Sequence, residues 1–332
     1  MSRFSALLIV FFSLQVSAYN IDKTQVSVSG LSSGAYMAGQ VHVAFSNIFM
    51  GVGIIAGGPY YCAKNDAFKA QMECMGAPMG PPAHQDAVAE ARRAEKTKQI
   101  SPLKSLSSAR VYILTGKNDE VVVRSVADEA IGFYKQLGVK AADIEYVTNL
   151  TVGHAFPTVD YGNSCEERRT PPFINSCNYD TAGALFNHIY GQLKPAVEAK
   201  KQSLHTLAQK KYLRVAPAEL SLNDKAFAYV PEACDQGAKC RLHFAFHGCK
   251  QTTDDIGDQF YTKTGYNEWA EANNIIVVYP QTIRTSMMSG NPNGCWDWWG
   301  YTSSAYHTQE APQMQMISQM VEDFSLSKMR VK

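Results

Sequence analysis

Gly30-Leu31-Ser32-Ser33-Gly34 is a G-x-S-x-G pentapeptide between a strand-like run and a helix-like run. That is the setting of a nucleophilic serine on a sharp strand-to-helix turn. The glycines let strand and helix close around the turn, and Ser32 is left at its tip in a strained backbone region. The Ser33 N–H, at the helix start, faces the same space and can donate to an oxyanion. A serine hydroxyl is a weak nucleophile at neutral pH, so it needs an imidazole to take its proton and a carboxylate to orient that imidazole. Downstream, the strand candidate Arg110–Leu114 runs into TGKND and puts Asp119 on a loop at its carboxyl end. The next strand candidate, Ile144–Asn149, runs into TVGHAFP and brings His154 to the same rim. Ser33 competes with Ser32 but lacks the symmetric glycine flanks; Glu120 and Asp128 compete with Asp119, and Asp128 falls inside a helix. Among the other histidines, His42 and His188 fall in helices and His243 lies mid-strand. The chain order serine, acid, histidine is that of α/β-hydrolases.

The elements that must hold these residues alternate along the chain. Strand candidates are Gln25–Ser29, Phe49–Ile55, Arg110–Leu114, Ile144–Asn149, Arg241–Phe246 and Ile275–Tyr279, with a strand or hairpin at Leu220–Tyr229. Helix candidates are Ala35–Phe45, Asp86–Gln99, Arg124–Leu137, Thr181–Leu193, Tyr261–Asn273 and Gln313–Ser325. Residues 57–82 and 281–309 read as loop, and the Lys-rich residues 194–218 as a helical connection over the surface. Near-continuous apolar strands alternating with helices predict a mostly parallel sheet covered on both faces. Ligands then bind beyond the carboxyl ends of the strands.

One part is out of place. An α/β-hydrolase takes its second oxyanion N–H from a loop after a strand that precedes the nucleophile, with an H-G type motif. Here that motif comes late, where Arg241–Phe246 runs into His247-Gly248-Cys249. The simplest explanation is a circularly permuted α/β-hydrolase fold, tolerable where surface termini lie close together. Ser33 and Cys249 are then the oxyanion donors, and His247 is a ring that shapes the loop. Trp296, Trp298 and Trp299 are candidates to line an apolar, aromatic cleft, or else to pack the core beside Cys295.

Residues 1–18 read as a secretory signal peptide: Arg3 is the charged region, Ala6 to Leu14 a short apolar run, and Val16-Ser17-Ala18 the cleavage site. Residues 19–332 form the single catalytic domain. The sequence therefore predicts a secreted protein, extracellular or periplasmic, with no membrane span. All eight cysteines follow the leader, and an even number in an exported chain suggests disulfides. Proximity pairs Cys62 with Cys74, Cys165 with Cys177, Cys234 with Cys240, and Cys249 with Cys295, among about 105 possible pairings. No C-x-x-C pair marks a zinc site, and no metal is expected. Lys+Arg is 31 and Asp+Glu 30, a balance that lacks the basic excess a nucleic-acid binder needs.

Taken in order, GLSSGAYM at 30–37, GKNDEVV at 116–122, GHAFP at 153–157, HGCKQ at 247–251, IIVVYPQ at 275–281 and GCWDWWG at 294–300 resemble the secreted polyhydroxybutyrate depolymerases. The resemblance is closest to the single-domain, circularly permuted fungal type. It implies a serine esterase that cuts poly(3-hydroxybutyrate) or its oligomers to 3-hydroxybutyrate units through an acyl-enzyme, without a cofactor. Its partner is a polyester or oligoester substrate, and the chain is expected to act as a monomer. It implies Ser32, Asp119 and His154 as the triad, with Ser33 and Cys249 as oxyanion donors. Bacterial members often append a linker and a polymer-binding domain; neither is expected here, so adsorption to polymer is expected to rely on the catalytic domain's own surface. A secreted esterase removing acetyl or feruloyl groups from polysaccharide would carry the same triad, and a non-catalytic surface-binding protein could share the fold.

Overall fold

Strands such as IIVVY at 275–279 bury every side chain, so they need cover on both faces. The computed structural model describes residues 19–286 and 290–325; the expected signal peptide lies outside the described residues. In chain order the first elements are β1 (Asn20–Leu31), α1 (Ser33–Ala44), β2 (Phe49–Ile55), α2 (Ala67–Met72), α3 (His84–Lys96), β3 (Arg110–Leu114), α4 (Arg124–Gln136) and β4 (Ile144–Val147). Then come β5 (Phe156–Thr158), β6 (Asn163–Ser164), β7 (Ile174–Ser176), α5 (Thr181–Tyr190), β8 (Leu204–Ala208) and β9 (Lys225–Tyr229). The last are α6 (Glu232–Asp235), β10 (Lys239–Phe246), α7 (Thr253–Ile256), α8 (Gln259–Lys263), α9 (Tyr266–Asn273), β11 (Ile275–Tyr279) and α10 (Pro312–Ser325).

Eight strands form one sheet in the order β4-β3-β2-β1-β10-β11-β9-β8. Only β9 runs against its neighbours; the other pairings are parallel. Alternation sorts the side chains. Val26 and Val28 of β1 and Leu242, Phe244 and Phe246 of β10 enter the core under α1, α3, α4 and α10. Leu31 and Ala245 enter the opposite core, under α5, α8 and α9. The α1 helix is buried along all twelve residues, whereas α4 buries a stripe of Val126, Ala127, Ala130, Phe133 and Tyr134.

The nucleophile strand β1 is central. It is flanked on one side by β2, next in the chain, and on the other by β10, more than two hundred residues later. The rings of Tyr19 and Phe324 stack at 5.8 Å, so the two ends of the described chain meet. That contact is the geometric condition for a permuted chain order.

Several expectations need correction. The 57–82 loop contains α2, capped where Asp66 accepts from the Phe68 and Lys69 amides and tied by Cys62–Cys74. Residues 194–218 are not a helical connection. They supply edge strand β8, which pairs antiparallel with β9; a Lys-rich surface segment suits a protected sheet edge as well as a helix. Tyr261–Asn273 breaks into α8 and α9 at Gly265, whose φ is 85°. The small sheet β5-β7-β6 was not anticipated, because its strands are too short to show a period.

Candidate active site

The turn from β1 to α1 consists of Ser32 alone, at φ 56° and ψ −121°. A non-glycine residue there is strained. It is held by its neighbours: the Ser32 amide donates to the Ile55 carbonyl at 3.0 Å, and its carbonyl accepts from the Ala35 and Tyr36 amides. A Cβ on Gly34 would lie 2.3 Å from the Phe246 carbonyl oxygen, and one on Gly30 would lie 2.2 Å from that of Gly34. Gly34 is therefore fixed by close packing of the elbow against the end of β10, and Gly30 by the start of α1 folding back on β1.

Beyond β3 and β4 the two chains stay paired. Thr115, Lys117 and Asn118 amides donate to the Val147, Leu150 and Val152 carbonyls, which registers the Asp119 loop against the His154 loop. Asp119 has a fully buried side chain; its Oδ1 accepts from the Val121 and Val122 amides, each at 2.9 Å. His154 Nδ1 lies 2.9 Å from Asp119 Oδ2 and 3.1 Å from Oδ1, and its Nε2 lies 2.8 Å from Ser32 Oγ. A carboxylate only accepts, so the partners put the ring proton on Nδ1 and leave Nε2 to accept the serine hydroxyl proton. The structure thus brings Ser32, Asp119 and His154 into one hydrogen-bonded line. Ser33 Oγ turns elsewhere and accepts from the Trp296 amide at 3.4 Å.

The loop after β10 meets the same serine, since a Cβ on Gly248 would lie 3.3 Å from Ser32 Cβ. His247 is fully buried. Its Nδ1–H donates to the Gly248 carbonyl at 2.7 Å, and its Nε2 accepts from the Thr282 amide at 3.2 Å. Burial pushes its pKa down to about 4, so it stays neutral and orients the Gly248–Cys249 peptide. The loop is pinned by the Cys249–Cys295 disulfide and by the Lys250 amide on the Asn293 carbonyl at 2.7 Å. The other bridges are Cys165–Cys177 and Cys234–Cys240.

Of the three tryptophans, Trp296 is fully buried against Phe246 and His247. It offers no surface to a cleft, so its expected lining role gives way to core packing under the elbow. Trp298 is 6% exposed and stacked on Tyr36 at 4.3 Å. Trp299 is the most open of the three and abuts Trp298 and Tyr301. The sequence pattern assigns no role to Gln251 or to residues 166–173. Yet the His154 amide donates to the Arg168 carbonyl at 3.0 Å, and Gln251 is buried against Pro172. A cavity of about 640 Å³ lined by Met50, Arg110, His188 and Tyr190 opens where β2 and β3 begin, away from Ser32. No group of three His, Cys, Asp or Glu among the described residues could hold a metal ion.

Comparisons with known proteins bear on this arrangement. A profile of the prolyl oligopeptidase family matches residues 9–178, the stretch that carries Ser32, Asp119 and His154. The chain is 40% identical over 323 residues to a poly(3-hydroxybutyrate) depolymerase from Delftia acidovorans, covering 95% of this chain and 63% of that protein. It thus spans less than two thirds of that relative's length. It is 38% identical over 303 residues to a polyhydroxybutyrate depolymerase from Talaromyces funiculosus, covering 86% and 85%. The crystal structure of a PHB depolymerase from Penicillium funiculosum superimposes with a TM-score of 0.83 at 34% identity, over 93% of this chain and 98% of that one. The same values hold for a serine-to-alanine PHB depolymerase complexed with an R3HB trimer.

Proposed function

This chain belongs to the polyhydroxybutyrate depolymerases and to the wider prolyl oligopeptidase family, and from that premise we propose that it hydrolyses the ester bonds of poly(3-hydroxybutyrate) and its oligomers on Ser32. The observation that carries the proposal is the unbroken line Asp119–His154–Ser32 on a strained elbow.

Ser32 Oγ attacks the ester carbonyl carbon while its proton passes to His154 Nε2. Asp119 holds the ring and stabilises the imidazolium. Negative charge gathers on the carbonyl oxygen, and the Ser33 and Cys249 amides donate to it. Each such donor contributes about 3–4 kcal/mol to the barrier reduction. The tetrahedral species collapses as the ester C–O bond breaks and His154 protonates the departing alkoxide oxygen, which becomes the hydroxyl end of the next unit. An acyl-enzyme remains; water attacks it while giving a proton to His154, and as the second tetrahedral species collapses His154 returns that proton to Ser32 Oγ, releasing the acid and the free serine. Trp299 is the proposed aromatic contact for the polymer chain.

Residues 1–18 are proposed to be a signal peptide and 19–332 one catalytic domain, acting as a secreted monomer. Four disulfides suit an oxidising compartment, and no helix among the described residues is long and apolar enough to cross a membrane. Polymer films and acetylated or feruloylated xylan, each given to the purified chain, test the substrate. Release of 3-hydroxybutyrate from the film supports the proposal. Release of acetate or ferulate alone, or of nothing, contradicts it.

A further inference from the structure

Gln251 ends the loop that follows β10 and is 1% exposed. Both ends of its side-chain amide are used. Oε1 accepts from the Gly248 amide at 2.6 Å, and Nε2 donates to the Pro172 carbonyl at 2.7 Å. A donor at one end and a carbonyl at the other allow only one orientation of the amide. Its backbone is anchored too, because the next residue, Thr252, caps α7 in a reciprocal box with Asp255.

The segment it grips is the one that supports the base. The Arg168 carbonyl accepts from the His154 amide, and the Phe173 carbonyl accepts from the Phe156 amide at 2.8 Å. Gln251 therefore joins the loop beside Ser32 to the segment behind His154. Within its own loop it fixes the His247–Gly248 peptide, while the His247 ring fixes the following peptide by its carbonyl. With the Gly248 N–H taken by Gln251 and the Lys250 N–H by the Asn293 carbonyl, the Cys249 N–H between them is the donor that the proposed mechanism assigns to substrate.

We propose that Gln251 is a positioning residue of the ester-hydrolysing site, clamping the loop after β10 onto the 168–173 segment so that the Cys249 N–H stays aimed at the reacting carbonyl. The proposal rests on the triad reading above. It predicts a defect in the transition state and not in ground-state binding, because a loosened donor is missed most where charge develops.

The test compares wild type, Gln251→Met, Gln251→Glu and Ser32→Ala at 20 °C on p-nitrophenyl butyrate, with an alkyl trifluoromethyl ketone as a hemiketal-forming inhibitor. Gln251→Met should lower kcat by about 10²-fold with KM within about threefold, and weaken ketone inhibition in parallel. Gln251→Glu keeps the volume and the acceptor for Gly248, so it serves if the Met variant does not fold. Its carboxyl can donate to the Pro172 carbonyl only while protonated. The ratio of its kcat to the wild-type value should therefore fall as pH rises. Wild-type kcat in the Met variant overturns the proposal, as does lowered kcat with unchanged ketone inhibition, or a pH-independent ratio in the Glu variant. Full activity of Ser32→Ala would mark failure of the triad reading instead, and would take the role of Gln251 with it.

Discussion

Replacing Asp119 by asparagine tests the proton logic of the site with almost no change of shape. One oxygen of the carboxylate must remain oxygen at the Oδ1 position, because two backbone N–H groups, from Val121 and Val122, point at it from 2.9 Å. The amide nitrogen is then forced into the Oδ2 position, 2.9 Å from His154 Nδ1. That nitrogen donates, so the shorter of the two Asp119 contacts now favours Nδ1 as the acceptor, over the 3.1 Å contact to Oδ1, and moves the ring proton to Nε2. An Nε2–H facing Ser32 Oγ at 2.8 Å cannot take the serine proton. The same replacement in a serine protease triad costs about 10⁴ in kcat, equivalent to about 5 kcal/mol of barrier. The assay is kcat on p-nitrophenyl butyrate, with a thermal melt to show that the variant is folded. A folded Asp119→Asn enzyme within about tenfold of wild-type kcat would refute the tautomer argument.

Two further outcomes follow from burial. Trp296→Ala empties a fully buried site and should cost about 3–5 kcal/mol of stability. Trp299→Ala removes the more open ring, should cost less than about 1.5 kcal/mol, and should instead raise the polymer concentration needed for half-maximal film hydrolysis; denaturant titration and film assays distinguish the two. Burial also pushes His42 and His243 down to about 3 and His247 down to about 4, against an ordinary 6.5. The unfolded chain then binds more protons below pH 6.5, so stability is full above that pH and is lost as pH falls, down to about 4 for His247 and about 3 for His42 and His243. Each imidazole accounts for up to about 1.4 kcal/mol per pH unit in that window. Urea midpoints from pH 7.5 to 5 should decline accordingly, and a flat profile would contradict the neutral buried rings.

The alternation of strand and helix was legible because the strands are buried on both faces and read as apolar runs, as IIVVY does at 275–279. The elbow was legible because Gly30 and Gly34 are dictated by backbone contacts and so leave a motif. The late HGC loop pointed to a permuted order, and the strand order carries it, with β10 beside β1. Edge strand β8 was missed because its single covered face leaves no pattern that a surface helix would not share. The break at Gly265 was missed because one glycine inside a helical pattern is often tolerated. Tryptophan type alone could not tell a cleft wall from a core, and Trp296 went to the core. Gln251 stood inside the HGCKQ segment, but its partners at Gly248 and Pro172 meet it only in space.

The central claim is that Ser32, made reactive by His154, forms a covalent bond to the acyl group. A p-nitrophenyl alkylphosphonate mimics that step, and peptide mass mapping reads the site of the adduct. The account predicts one adduct per chain, on Ser32, with release of 3-hydroxybutyrate from polymer film lost in proportion to labelling. An adduct on Ser33, an unlabelled chain that still degrades the film, or full labelling that leaves film hydrolysis intact would contradict it.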